Sequence, residues 1–321
     1  TLSLHDALPI YTTFNGRGYY FLPQFAAGRN DQCYELVLQS DGKIVLAGYS
    51  YLGGGAYRNS VARVLTDGQI DLTFNGTGYY VLPQFAAVAD NKCYGIALQS
   101  DGKIVLGGWI FGGGVWKYSV ARVLTNGQLD TTFNGTGYYI LPQFTVGNDD
   151  ECYGVALQPD GKIVLIGRSS GGGGLFRYSV ARVLTNGQLD TTFNETGYYV
   201  LPQFTAGSDD QCYGVALQSD GKIVLGGWMK VGGVYKYSAA RLLTNGQLDT
   251  TFNGTGYYVL PQFSAGNNDQ CYAVGLQSNQ KIVLAGYSST GVAFTYSAAQ
   301  LTNEYTLADY QAEYPNQGGF Y

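Results

Sequence analysis

Five cysteines recur along the chain and are the first residues whose type and spacing suggest chemistry. Consecutive cysteines are 60, 59, 60 and 59 residues apart. Equivalent positions in neighbouring repeats are expected to lie beyond the ~7 Å that a disulfide spans between Cα atoms, and no Cys-x-x-Cys pair is present. A thiolate ring holding a metal is the alternative. We predict small buried structural side chains, with no metal and no cofactor, at Cys33, Cys93, Cys152, Cys212 and Cys271.

A short polar cluster precedes each cysteine. Carboxylate and amide oxygens are the ligands that Ca²⁺ prefers, and it needs six to eight of them. No cluster has the dense spacing of a calcium-binding loop, so we predict turns in which these side chains cap the strand entry, with Ca²⁺ binding as the alternative. The clusters are Asn30-Asp31, Asp90-Asn91, Asp149-Asp150-Glu151, Asp209-Asp210 and Asn268-Asp269.

An arginine stands inside an otherwise apolar segment in four repeats. A buried guanidinium must be paired, and an aspartate follows each arginine across a tight turn. A catalytic acid–base role would need a partner that is not repeated, and none is visible, so no catalytic residue is predicted. The predicted structural pairs combine Arg63, Arg122, Arg182 and Arg241 with Asp71, Asp130, Asp190 and Asp249.

Glycine-rich segments with aromatic residues differ most between the copies. They span residues 49–57, 109–116, 168–176, 228–235 and 287–294, and contain all three tryptophans. Loops on a rigid scaffold commonly carry binding, and exposed aromatic rings stack on sugars or anchor protein partners. The alternative is that these rings pack between sheets. The predicted ligand-binding residues are Tyr49, Trp109, Trp116, Arg168, Trp228 and Tyr287.

The elements that must position these residues repeat five times between residue 14 and about residue 302. In the third copy, apolar or β-branched segments at 152–158, 162–167, 176–185 and 197–204 are separated by Pro-Asp-Gly, Gly-rich and Asn-Gly turns. No window shows a sustained helical period. Each copy therefore predicts four strands in meander order, with Pro202 placing the last strand at an edge.

The second strand of each copy decides between the candidate architectures. Segments such as Ile163–Ile166 are continuously apolar, which indicates cover on both faces. Radially packed sheets give such cover, whereas a sandwich leaves one face wet. We predict an all-β fold, a β-propeller of five four-stranded antiparallel blades, with an open or longer array of the same blades as the alternative.

Two segments of each copy resemble the bacterial delta-sixty repeat. In the third copy they are residues 156–164 (ALQPDGKIV) and, after Ala181-Arg182, residues 186–193 (NGQLDTTF); the last copy departs from the pattern at Asn279-Gln280 and Gln300. The resemblance implies a β-propeller and a secreted or surface-displayed bacterial protein, and hence an extracellular or cell-surface location.

The two ends depart from the repeat. Thr1–Ile10 resembles translated sequencing-adapter read-through. We predict a non-native or disordered leader at 1–13, the five-repeat propeller at 14–303, and a tyrosine-rich tail at 304–321. The fifth blade lacks its own outer strand, which Gly18–Phe25, the tail or a neighbouring chain could supply.

Composition narrows the function classes. The 321 residues carry a net charge of −5, which argues against nucleic-acid partners, and no apolar run is long enough to span a bilayer. The chain has a single histidine, so catalytic mechanisms and metal sites that depend on histidine are largely excluded. We predict a non-enzymatic module that binds a glycan or a protein, either monomeric or assembled end to end. A self-assembling surface protein is one alternative, and an enzyme with an axial site that uses the unique Glu151, Glu195 and Arg168 is a weaker one.

Overall fold

The computed structural model describes residues 13–302, except 87–89, 172–173, 265 and 290. The regular secondary structure of this part is almost entirely β-strand, as the sequence predicted, and its helices are the 3₁₀ turns Phe14–Gly16, Phe133–Gly135 and Phe193–Glu195. Residues 1–12 of the predicted leader and the predicted tail 304–321 lie outside the described residues.

Nineteen strands of the described residues form five antiparallel sheets, in which strands follow one another in chain order. This confirms the predicted fold of propeller blades. Sheet 1 contains β1 (Asp31–Leu38), β2 (Ile44–Tyr51), β3 (Tyr57–Val64) and β4 (Tyr79–Val81). Sheet 2 contains β5 (Asp90–Leu98), β6 (Ile104–Gly112), β7 (Val115–Val123) and β8 (Tyr138–Ile140).

The remaining three sheets repeat this order. Sheet 3 contains β9 (Asp150–Leu157), β10 (Ile163–Ser170), β11 (Phe176–Val183) and β12 (Tyr198–Val200). Sheet 4 contains β13 (Asp209–Leu217), β14 (Ile223–Val231), β15 (Val234–Leu242) and β16 (Tyr257–Val259). Sheet 5 has three strands in the described part, β17 (Asp269–Leu276), β18 (Ile282–Ser289) and β19 (Phe294–Leu301).

Two compact units divide these sheets. One holds sheets 1 and 2 together with the turn Leu184–Gln188, and the other holds the strands of sheets 3, 4 and 5. Within each unit, apolar side chains of neighbouring sheets form shared clusters, such as Val164, Ile166 and Val180 with Ile223 and Leu225. The continuously apolar second strands are buried on both faces, as Ile163–Ile166 shows.

A β-bulge interrupts the first strand of every sheet directly after the cysteine. In sheet 4, Cys212 pairs with Gly227 and Gly214 with Gly226, so the register skips Tyr213. A Cβ on Gly227 would lie 2.0 Å from the carbonyl oxygen of Gln211, which no real side chain tolerates. The same arrangement recurs at Gly48, Gly108 and Gly286. The bulge re-aims one residue of the strand, and that residue is always a tyrosine.

The fourth strand is shorter than predicted. Residues 197–204 were expected to form it, but β12 covers only Tyr198–Val200, because Pro202 has no N–H to donate to the ladder. One further bond, from Leu201 N to the carbonyl of Tyr178, ends the pairing. The equivalent N-terminal segment Gly18–Phe25 forms no strand, and its Phe25 ring stacks on Tyr79 at 4.2 Å.

Candidate functional site: a row of tyrosines along the first strands

The bulge tyrosines of sheets 3, 4 and 5 form a continuous row. The ring centroids of Tyr153 and Tyr213 are 5.0 Å apart, and those of Tyr213 and Tyr272 are 4.9 Å apart. Tyr153 and Tyr213 are half-buried, and Tyr272 is 42% exposed. We call these three residues the tyrosine row. In the other unit, Tyr34 and Tyr94 repeat the contact at 4.6 Å.

Polar side chains lie beside the first two rings of the row. Arg168 Nη2 and Nε donate to Glu151 Oε1 at 2.7 and 3.0 Å, and Arg168 Nη1 donates to Gln211 Oε1 at 2.7 Å. Tyr153 Oη donates to Glu151 Oε2 at 2.6 Å, and Tyr213 Oη donates to Gln211 Oε1 at 2.8 Å. The Glu151 carboxylate and the Gln211 amide therefore each accept a hydrogen bond from the hydroxyl of one tyrosine of the row.

The third ring has a related environment. Tyr272 Oη donates to Gln270 Oε1 at 3.1 Å, and Tyr287 Oη donates to the same oxygen. The Trp228 ring lies 6.2 Å from Tyr213 and 4.8 Å from Tyr235, so it supports the row from the second strand. The site is thus built of aromatic faces backed by amides and one ion pair.

Sheets 1 and 2 carry a variant of this arrangement. The Lys92 ammonium lies 5.0, 4.4 and 5.1 Å from the ring centroids of Tyr49, Tyr57 and Trp109. These are cation–π distances. Lys92 occupies the position of Glu151 and Gln211, so the polar residue beside each tyrosine changes from sheet to sheet while the ring stays.

The phenols of the row keep their protons at neutral pH. Burial, followed by the charge of Glu151, raises the pKa of Tyr153 well above its usual value, and burial raises the pKa of Tyr213 to about 12. Both hydroxyls therefore act as hydrogen-bond donors at neutral pH and not as bases. The Glu151–Arg168 pair supplies complementary charges beside them.

The residues predicted to bind ligand lie in strands and not in loops. Trp109 and Trp228 are 7% and 5% exposed, in β6 and β14, and Tyr49 in β2 is also buried. Arg168 and Tyr287 occupy the same position in β10 and β18, and Trp116 lies in β7. The strands extend further than the glycines suggested, since turns such as Gly113-Gly114 need few residues. The structure thus brings five of the six predicted residues beside the bulge tyrosines.

Sequence reasoning missed the bulge tyrosines and the polar residues beside them. A signal was present, because a tyrosine follows the cysteine in all five copies and the residue before that cysteine varies. The varying residues are Gln32, Lys92, Glu151, Gln211 and Gln270.

The arginine–aspartate pairs join neighbouring sheets. Arg182 Nε donates to Asp190 Oδ2 at 2.7 Å, Nη1 donates to the carbonyl oxygen of Thr244 at 2.6 Å, and the guanidinium lies 4.6 Å from the Phe193 ring centroid. Burial opposes ionisation, but Thr192 and Arg182 outweigh it and lower the pKa of Asp190. The same aspartate contact at 2.7 Å joins Arg63 to Asp71, Arg122 to Asp130 and Arg241 to Asp249.

The cysteines and polar clusters have local partners. All five cysteines are free thiols, four of them buried and Cys33 exposed. In each cluster an aspartate such as Asp210 accepts a backbone N–H, here from Phe204 at 3.0 Å. Asp209 accepts another, from Phe176 N of the preceding sheet at 3.2 Å. Within the described residues, no group of three or more His, Cys, Asp or Glu is placed to hold a metal ion, and no helix there is long and apolar enough to cross a membrane.

Five meander sheets with equivalent bulges define a repeat protein of the β-propeller class. The model of a domain of unknown function, DUF5122, described as a β-propeller, matches residues 39–74, 99–133, 158–193 and 218–252. These four matches support a repeat β-propeller family. The delta-sixty name and a fifth matching copy stay predictions. No curated protein matches the sequence.

Three of the solved structures to which this chain is similar are a protein of unknown function, an arabinanase and a polysaccharide lyase. A protein of unknown function from Dyadobacter fermentans is 12% identical, with 85% of this chain and 84% of that chain covered and a TM-score of 0.46. The Cellvibrio cellulosa α-L-arabinanase is 10% identical, with 85% and 92% covered and a TM-score of 0.44. An ulvan lyase is 13% identical, with 84% and 69% covered and a TM-score of 0.42.

These comparisons correct one expectation. The sequence predicted a protein without enzymatic activity, but the similar structures include a hydrolase and a lyase that act on glycans. The prediction of no enzymatic activity is therefore wrong, since an arabinanase and a polysaccharide lyase are among the similar structures. Identities of 10–13% assign no reaction to this chain.

Proposed function

We propose that this protein binds a glycan along the tyrosine row. The observation that carries the proposal is the unbroken contact of Tyr153, Tyr213 and Tyr272, with centroids about 5 Å apart and partly exposed rings. The C–H face of a sugar packs on an aromatic ring, whereas its hydroxyls need hydrogen-bond partners at the ring edge. The row supplies aromatic faces, and the polar side chains at the ring edges supply hydrogen-bond partners.

The polar residues beside the row match the second requirement. Glu151, Arg168 and Gln211 already hydrogen-bond one another, so they are held in one orientation before a ligand arrives. Preorganised polar groups lower the entropic cost of binding. The side chain of Arg168 is 20% exposed and donates to a carboxylate, so it is placed to contact hydroxyl or acidic groups of a sugar.

The residues predicted from sequence enter the proposal in two ways. Arg168 and Tyr287, which are partly exposed and lie beside the row, are proposed to contact the ligand. Trp116 lies in the other unit, and its predicted role in binding stays a prediction. Tyr49, Trp109 and Trp228 are buried and are proposed to position the bulge tyrosines from behind. A secreted or surface-displayed location, implied by the family resemblance, belongs to the same proposal.

The test compares two substitutions at the centre of the row. Tyr213→Ala removes the ring, and Tyr213→Phe keeps the ring but loses the hydroxyl. Binding to a panel of soluble plant, algal and bacterial polysaccharides is measured by calorimetry. We expect Tyr213→Ala to weaken binding about tenfold or more and Tyr213→Phe to weaken it much less.

A matched control is Leu72→Ala, which removes an exposed apolar side chain from the other unit and should leave glycan affinity unchanged. Equal affinities for the wild-type protein and Tyr213→Ala, or no binding of any glycan in the panel by the wild-type protein, would contradict the proposal.

A further inference from the structure

In sheets 3 and 4, one tyrosine of the third strand enters the next sheet. Tyr178 of sheet 3 hydrogen-bonds Ser238 Oγ of sheet 4 at 2.9 Å, and Tyr237 of sheet 4 hydrogen-bonds Ser297 Oγ of sheet 5 at 2.7 Å. Both tyrosines are 0% exposed. Each hydroxyl also lies close to a glycine of the receiving sheet, Gly227 or Gly286. The tyrosine, the serine and the glycine form the repeated junction between sheets.

Sheet 5 presents the tyrosine of this junction, and no sheet of the described residues receives it. Tyr296 is the equivalent of Tyr178 and Tyr237, and it is 100% exposed. Side chains alternate along a strand, so Tyr296 lies on the same face of the sheet as Ala298 and its pairing partner Ala285, and Ser297 lies on the opposite face. Phe294, two residues earlier on the same face of β19, is 70% exposed, and exposed apolar side chains that lie together mark interaction surfaces.

Sheet 1 presents the receiving half of the junction. A cavity of about 220 Å³ beside its first three strands is lined by residues that include Leu22, Phe25, Cys33, Gly48 and Ser60. They correspond in the repeat to Leu201, Phe204, Cys212, Gly227 and Ser238, which lie around Tyr178. A cavity of roughly 150 Å³ holds a benzene ring, so this one accommodates a phenol ring. We call it the socket.

A second, independent feature points to the same partner. Sheet 5 lacks a fourth strand among the described residues, and β19 is its open edge. Residues Tyr19–Phe21 carry the sequence of a fourth strand, Tyr-Tyr-Phe against Tyr-Tyr-Val in β4, but are not in a strand. Residues Tyr19–Phe21 could therefore pair with β19 as a fourth strand and cover this open edge.

We propose that a second copy of this chain docks its sheet 5 on sheet 1, with Tyr296 in the socket. By the register of β15 with β16, Ser297, Ala298 and Ala299 of one copy pair with Phe21, Tyr20 and Tyr19 of the other. The two surfaces differ, so the contact is head to tail and propagates until a ring or a filament forms. Gln300 replaces the arginine that clamps the other junctions, so the contact is weaker than those within the chain.

Sedimentation velocity of the full chain over a range of concentrations tests the proposal. The wild-type protein should form species larger than a monomer as concentration rises. Tyr296→Ala should raise the dissociation constant about tenfold or more, as for truncation of a central interface tyrosine. Val292→Ala, which removes an equally exposed apolar side chain from the same hairpin, should associate like the wild-type protein. A monomer at every concentration, or unchanged association of Tyr296→Ala, would overturn the proposal.

A complementation experiment tests the head-to-tail geometry. Cys33→Phe fills the socket from an exposed position and leaves Tyr296 intact, whereas Tyr296→Ala leaves the socket intact. Each variant alone should stay monomeric with the circular dichroism of the folded protein. Their mixture should form a dimer that grows no further, since each partner keeps one working surface. A mixture that remains monomeric contradicts the proposed contact.

Protection of a thiol gives a readout without substitution. Cys33 is the exposed cysteine of the five and lines the socket. In the wild-type protein its modification by a thiol reagent should slow as the protein concentration rises. Modification at an unchanged rate would count against occupancy of the socket.

Discussion

The Asp210 carboxylate in the polar cluster of sheet 4 is buried, and its ionisation works against the fold. Burial raises the pKa of Asp210 to about 6, although Phe204 N donates a hydrogen bond to it. Between about pH 4 and pH 6 the folded protein therefore holds a proton that the unfolded chain has lost. The contribution of Asp210 to the free energy of unfolding is therefore highest near pH 4 and falls as the pH rises to 6.

Asp210→Asn should remove this penalty. The amide keeps an oxygen for the Phe204 N–H and carries no charge to bury. The second repeat already has Asn91 at the equivalent position. We expect the variant to be more stable than the wild-type protein at pH 7, by up to about 3 kcal/mol for two pKa units, with the difference shrinking towards pH 4. Urea unfolding from pH 4 to pH 8 measures it, and a difference independent of pH would contradict the assignment.

A single departure from the repeat leaves the first junction incomplete. Asn59 replaces the tyrosine that sheets 3 and 4 send into their neighbours, and it is buried. Within the described residues, both atoms of its amide group and Ser119 Oγ have no hydrogen-bond partner. Buried polar groups without partners are costly.

Asn59→Tyr should restore the junction between sheets 1 and 2. The phenol is expected to reach Ser119 as Tyr178 reaches Ser238, and to stabilise the protein by about 1–2 kcal/mol through apolar burial and one hydrogen bond. The midpoint of urea unfolding measures this, with Asn59→Ala as the variant that removes the amide without filling the space. A lower midpoint for Asn59→Tyr than for Asn59→Ala would show that the site has no room for the ring.

At the scale of the strand, the β-bulge decides where the tyrosine row points. Gly227 lies opposite Cys212, and a Cβ there would meet both the Gln211 carbonyl and the Tyr178 hydroxyl. We expect Gly227→Ala to cost about 3 kcal/mol or more, because backbone and not a flexible side chain must move. Gly275→Ala, at a site with open space and no positive φ, should be close to neutral. Thermal unfolding compares the two, and equal costs would contradict the role given to the bulge.

The sequence predicted the strands well and the bulge poorly, for a physical reason. Apolar runs such as Ile163–Ile166 and turns such as Asn186-Gly187 are local signals that depend on neighbouring residues. The bulge depends on the contact between Cys212 and a glycine of the next strand, which only the register reveals. For the same reason Trp109 and Trp228 were expected in loops, and the tyrosines beside them were overlooked.

At the scale of the whole molecule, a sheet's stability depends on how many neighbours cover it. In repeat proteins each unit gains most of its stability from contacts with adjacent units. Sheet 4 packs against sheets 3 and 5, and β14 is buried from Ile223 to Met229. Sheet 5 has a neighbour on one face within its unit, and Phe294 and Tyr296 of β19 are exposed.

Amide hydrogen exchange should therefore rank the sheets of this unit. We expect amides bonded between β14 and β15 to exchange about 100-fold or more slowly than those bonded between β18 and β19, since opening of sheet 5 uncovers only one interface. Mass spectrometry of peptides from the two hairpins measures the ratio, and dilute Tyr296→Ala protein avoids protection by a second copy. Equal protection of both hairpins would mean that sheets 4 and 5 unfold as one cooperative unit, contrary to the neighbour argument.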